Sequence, residues 1–212
     1  MTNQNKSLLI LSAVAIGILS VYAYRVIPGY VKISRPATVA PAPQKYEPRA
    51  AASDPVRGNR NGSITIFEFG DVECPYCGQI DPQVKDLLAQ RPGARLVWKD
   101  CPLPNHPNAE RAAAAALCAG DQGRYWEFHD ELIKNNDRLN DNTYQDIAAA
   151  LKLDGNQFSA CLASGEKLDQ IKKSFGECNA AGVTELPWFS INGKTFSGSG
   201  VIYDLTSQLN SK

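Results

Sequence analysis

The tetrapeptide Cys74-Pro75-Tyr76-Cys77 constrains this chain more than any other feature, because it stands where a β-like run passes into a helix. The run is Ser63-Ile64-Thr65-Ile66-Phe67-Glu68-Phe69, alternating and β-branched, and Gly70-Asp71 ends it. Pro75 suits a first helical turn, since its φ is already helical and the N–H it lacks would have no partner there. Ile80, Val84, Leu87 and Leu88 then form one helical stripe, closed by Arg91-Pro92-Gly93, and Ala94 to Lys99 reads as a second strand. The unit is β-α-β, with two thiols at i and i+3 on one face of the helix start, near enough to bond with little backbone movement. The first thiol also faces the unpaired N–H groups and positive end of the helix, which favour its thiolate. The pair therefore reads as a redox centre. Half of a zinc site or an inert structural pair would share the spacing, but His106 and His129 are the only histidines and no second Cys-x-x-Cys occurs. Neither a metal nor a cofactor is expected.

Lys and Arg total 22 against 22 for Asp and Glu in 212 residues, which leaves no basic footprint for nucleic acid. Leu8 to Tyr24 is a 17-residue uncharged stretch between Lys6 and Arg25. It reads as a retained membrane anchor or as a cleaved secretory signal, with small residues around Val21-Tyr22-Ala23 for the cut, so residues 1–24 address the chain to a membrane. Residues 25–61 hold six of the thirteen prolines (Pro28, Pro36, Pro41, Pro43, Pro48, Pro55) and predict a linker with a root-mean-square span of about 35 Å.

Past Asp100 the pattern turns helical. Pro107 to Ala119 contains five consecutive alanines, Ala112 to Ala116; Tyr125 to Ile133 forms an apolar stripe; Asn142 is placed to cap a helix through Leu151; Asp154 is placed to cap Gln157 to Ala163; and Glu166 to about Ala180 forms another helix. Residues 104–180 thus read as a helical insertion dividing an α/β unit of residues 62–103 and 181–212. In the second part, Trp188 to Ile191, Asn192-Gly193 and Lys194 to Phe196 predict a hairpin, because Asn-Gly meets the positive φ of a type I′ turn. A last helix spans Val201 to Leu209, so the order is β-α-β, helices, β-β-α.

Four ordered motifs then carry a resemblance: Ile66 to Cys77, Pro102-Leu103 with His106-Pro107-Asn108-Ala109, Gly123 to Asp130, and Gly182 to Gly193. Together, from about Asp54 onward, the chain resembles the DsbA-like thiol–disulfide oxidoreductases, which have a thioredoxin-like α/β fold with an inserted helical subdomain. The resemblance implies that Pro187 follows a cis peptide bond and faces the redox pair. It implies that Leu186, with Pro75 and Tyr76, receives an extended substrate segment; relatives more often carry Thr or Val at the position of Leu186. Cys74 would be the nucleophile and Cys77 the resolving thiol. Tyr76 stands where strongly oxidising relatives carry a His, which predicts a less oxidising pair.

Within that family the leading expectation is a monomeric oxidase of the bacterial periplasm, serving cysteine-containing exported proteins and reoxidised by a membrane partner of the DsbB type. A reductase or isomerase fed by a membrane electron donor is the alternative, and a non-catalytic binding module the third. Glu68 is a candidate proton relay to Cys77, Glu73 a surface charge, and His106 and His129 are read as helix-packing or capping residues. The remaining cysteines, Cys101, Cys118, Cys161 and Cys178, allow three pairings, and an exported chain favours bridges. Topology favours Cys101–Cys178, since one leaves the second strand and the other ends the helix feeding the next, with Cys118–Cys161 inside the insertion.

Overall fold

The computed structural model describes residues 46–198 and 200–210. The expected membrane-directed segment, and the expected linker up to residue 45, lie outside the described residues. In chain order the elements are β1 (Val56–Gly58), β2 (Ile64–Gly70), α1 (Pro75–Ala89), β3 (Ala94–Asp100), α2 (Ala109–Gly120), α3 (Tyr125–Lys134), α4 (Asp141–Ala150), α5 (Gly155–Ser164), α6 (Leu168–Ala180), β4 (Trp188–Ile191), β5 (Lys194–Ser197) and α7 (Val201–Asn210). None of these helices is long and apolar enough to cross a membrane.

The strands form one sheet in the order β1-β3-β2-β4-β5. β2 and β3 run parallel, with Ile66 opposite Leu96 and Gly70 opposite Asp100, as a strand pair joined by a helix requires. β4 returns antiparallel to β2, with Phe69 opposite Trp188, and hairpins into β5. At that turn Asn192 and Gly193 both have positive φ, 52° and 74°. The architecture is the thioredoxin-like α/β fold with five helices inserted between β3 and β4.

Alternation along the strands separates two faces. Ile66, Leu96, Phe189 and Ile191 pack with Val84, Leu87 and Leu88 of α1 and with Val201, Leu205 and Leu209 of α7. The opposite face presents Phe69, Cys101 and Trp188 to a second apolar cluster that includes Cys178 of α6. The inserted helices have their own core. All five consecutive alanines of α2 are buried, so their small side chains let neighbouring helices approach closely, beside Phe128, Leu132, Tyr144, Phe158 and Ile171. Gly70 serves a close approach of another kind: a Cβ there would lie 2.2 Å from the Trp98 ring.

Two expectations need correction. The linker does not run to residue 61, because β1 lies inside that range and pairs antiparallel with β3, Val56 opposite Val97. Its three residues are too few to show alternation; partners distant in sequence hold it instead. Trp126 Nε1 donates to the Val56 carbonyl at 2.8 Å, the Arg57 guanidinium lies 4.2 Å from the Trp126 ring centroid, and Arg57 pairs with Asp130. Nearby, buried Lys99 pairs with Asp54 and Glu177, each at 2.7 Å, fixing the segment before β1 to α6. The second correction concerns α4. Asn140, not Asn142, is its cap, and the Asn140 side chain accepts from the N–H groups of Asn142 and Thr143. Asp154 caps α5 by accepting from Gln157 N–H at 2.9 Å.

Candidate active site

Cys74 is the N-cap of α1 and Pro75 its first helical residue; the Cys74 side chain makes no capping hydrogen bond, but the unserved N–H groups of Tyr76 and Cys77 favour its thiolate. Both cysteines are free thiols. The Cys77 thiol donates to Cys74; this bond, more than any other influence, brings the Cys74 pKa down to about 6, against burial and the Asp71 carboxylate, which push it up. Cys77 moves the opposite way. Its hydrogen bond to Cys74, burial, and the negative charge of Cys74 all hold it in the thiol form. One sulfur is thus a thiolate near neutral pH and the other a protonated donor, the division that disulfide exchange requires.

Cys74 is only 4% exposed. It sits in the cluster of Phe69, Cys77, Leu186 and Trp188, so a substrate reaches it from the rim. That rim contains Tyr76, 67% exposed, and the adjoining exposed Pro75. The Leu186–Pro187 peptide bond is cis, and it leads directly into β4 beside β2, which places Leu186 in the same cluster as both thiols. A cavity of about 460 Å³ between residues 52–60 and α2–α3 is lined by residues such as Asp54, Tyr125, Trp126 and Lys167 but by neither cysteine.

Beneath α1, Glu68 is 3% exposed, and burial together with Asp81 pushes its pKa up to about 8, so it carries a proton at neutral pH. A second buried acid, Asp100, escaped the sequence reading. It accepts from Trp98 Nε1 at 2.7 Å, and burial raises it to about 6. His129 is packed among the rings of Trp98, Tyr125 and Trp126, and burial lowers its pKa. It approaches Asp81 and Asp130 closely enough for the three to suggest a metal cluster. Lys85 already pairs with both carboxylates, at 2.8 and 3.1 Å, and Arg57 with Asp130, so the charges are balanced within the protein.

Two loops converge on the cysteine pair. The Asp71 carboxylate accepts from the N–H groups of Glu73 at 2.8 Å and Leu103 at 2.9 Å, and His106 Nδ1 lies 2.8 Å from it. Glu73 in turn accepts from the N–H and the side-chain amide of Asn108 at the start of α2. Neither Glu73 nor His106 is therefore the solvated charge or local packing residue that sequence suggests; no local pattern could show contacts 35 positions apart. Disulfides join Cys101 to Cys178 and Cys118 to Cys161. The first shares the apolar cluster of the redox pair.

The described geometry has known counterparts. A family model described as Thioredoxin matches residues 50–211. The Na(+)/H(+) antiporter NhaA 1 of Salinispora arenicola is 38% identical over 159 residues, 74% of this chain and 24% of the antiporter. The chain thus spans about a quarter of the length of that curated relative. Among solved structures, a thioredoxin-like oxidoreductase from Silicibacter pomeroyi DSS-3 has a TM-score of 0.67 at 28% identity, covering 76% of this chain and 92% of the other. The thiol-disulfide exchange protein alpha-DsbA2 from Wolbachia pipientis shares the fold with a TM-score of 0.68 at 23% identity, covering 75% and 87%.

Proposed function

The chain belongs to the thioredoxin family, and from that membership we propose that it is a DsbA-like, exported thiol–disulfide oxidase that hands a Cys74–Cys77 disulfide to cysteine thiols of periplasmic proteins. The observation that carries this reading is the opposed behaviour of the two sulfurs: Cys74 drawn down to about 6, Cys77 pushed up, both beside a cis-proline loop. A stabilised Cys74 thiolate is a good leaving group, and it favours the reduced form of the pair, so the disulfide is readily given away.

In the reaction, a substrate thiolate attacks Cys74 Sγ of the oxidised pair and the Cys74–Cys77 bond breaks. Cys77 leaves as a thiolate and takes a proton, and buried, protonated Glu68, whose ionisation influences Cys77, is the candidate source. A second substrate thiolate then attacks the substrate sulfur of the mixed disulfide, expelling Cys74 as thiolate. The substrate dithiol is oxidised and the protein disulfide reduced, with no other electron carrier in the step. Leu186, Pro75 and Tyr76 form the surface against which the substrate segment lies.

Export is supported by the two structural disulfides, which persist in oxidising compartments, and by the uncharged Leu8–Tyr24 stretch. A membrane partner of the DsbB type would reoxidise the pair. Acid trapping and alkylation in cells test the direction: the pair should be found mostly oxidised, and a mostly reduced pair would assign the chain to reduction or isomerisation instead. Chemistry is tested by Cys74→Ser, which should lower exchange at least about a hundredfold. Cys77→Ser should accumulate mixed disulfides with substrates, visible on non-reducing gels.

A further inference from the structure

We propose that His106 is a positioning residue for the exchange reaction: by bonding the Asp71 carboxylate it holds the loop that carries the redox pair and governs how readily Cys74 reacts. The inference rests on the exchange reading above and adds to it a residue outside the β2–α1 segment.

Asp71 is a junction. Its side chain is fully buried, with Oδ1 accepting from Glu73 N–H and Oδ2 accepting from Leu103 N–H while facing His106 Nδ1 at 2.8 Å. Its backbone touches both sulfur-bearing residues: the Asp71 carbonyl accepts from Cys74 N–H at 3.0 Å, and its backbone bonds the Cys77 sulfur. Any displacement of Asp71 therefore reaches both thiols without an intervening residue.

Its charge matters as much as its position. A buried carboxylate so near Cys74 opposes a second negative charge there, and Asp71 works against the Cys74 thiolate in this sense. A donor on Oδ2 drains that opposition. The titratable groups facing Asp71 are His106 from the β3–α2 loop, Cys74 and Cys77 from the start of α1, and Asp100 from the end of β3. Of these, His106 is the one whose side-chain nitrogen lies within hydrogen-bond distance of the carboxylate. Its backbone is held in turn, since the His106 N–H donates to the Leu103 carbonyl at 2.9 Å and the Leu103 N–H bonds the same Asp71 oxygen.

The test uses the full chain, oxidised glutathione as probe, and thiolate absorbance to titrate Cys74. His106→Ala should move the Cys74 midpoint upward and slow exchange at pH 6 about three- to tenfold. His106→Asn, whose side-chain amide can place a donor where Nδ1 lies, should restore both. Should the alanine variant not fold, His106→Phe keeps a ring without a donor and carries the same expectation. A parent-like midpoint and rate in the alanine or phenylalanine variant would overturn the proposal, and so would an asparagine variant as slow as alanine. A parent protein that does not exchange with oxidised glutathione would instead remove the exchange reading, and this proposal with it.

Discussion

Burial holds the proton on Glu68 up to about pH 8, whereas the same carboxyl in an unfolded chain releases it near 4.5. Between those values the folded protein binds more protons than the unfolded one, so this residue makes stability fall as pH rises through the window. Glu68→Gln cannot ionise. The stability gap between variant and parent should therefore shift in favour of the variant by on the order of 1–3 kcal/mol from pH 4.5 to pH 8. Urea unfolding of the reduced proteins measures it, and a gap that stays constant would show that Glu68 is not held protonated. At this scale the sequence exposed the residues that form a local pattern. Cys74, Pro75 and Cys77 announce themselves by spacing at a strand–helix junction. Asp71, His106 and Asp100 do not, because their significance comes from burial and from partners on another loop, which spacing along one segment cannot encode.

Helix ends show how element boundaries are decided by single side chains. Asn140 satisfies two N–H groups at the start of α4, while Asn142 donates its own N–H into that arrangement. Asn140→Ala should lower stability by about 1 kcal/mol and Asn142→Ala by less than half of that, as read from denaturant midpoints. Equal losses would contradict the assigned cap. The sequence reading places the cap at Asn142, and only the backbone shows that Asn140, two residues earlier, takes that role. β1 illustrates the opposite limit. Val56-Arg57-Gly58 has no periodicity of its own and becomes a strand through β3, Trp126 and Asp130, all far along the chain. The longer elements were legible: β2 and β3 from alternation, the hairpin from Asn-Gly, and α2 from an uninterrupted alanine run.

On the scale of the whole molecule, the order β-α-β, helices, β-β-α was legible from the stripes and turns, while the thioredoxin-like character of the sheet came from the resemblance carried by four ordered motifs. The two bridges act on different parts of it. Cys118–Cys161 lies within the insertion and closes 43 residues, while Cys101–Cys178 spans the insertion and joins the end of β3 to α6 beside the redox pair. Removing the first with Cys118→Ala and Cys161→Ala should cost up to about 4 kcal/mol of unfolding free energy, while exchange per folded molecule stays at the parental rate. Loss of exchange at full folding would mean that the insertion takes part in the chemistry. These bridges are also nested, the Cys118–Cys161 loop enclosed by the Cys101–Cys178 loop. A polypeptide oxidised strictly in the order in which its thiols leave a secretion channel would close Cys74 with Cys77 correctly and then join Cys101 to Cys118, a bond the native molecule lacks. Under the proposed export, maturation would have to wait until Cys161 and Cys178 have emerged, or undo an early mistake, which would make this protein a demanding client of the chemistry proposed for it.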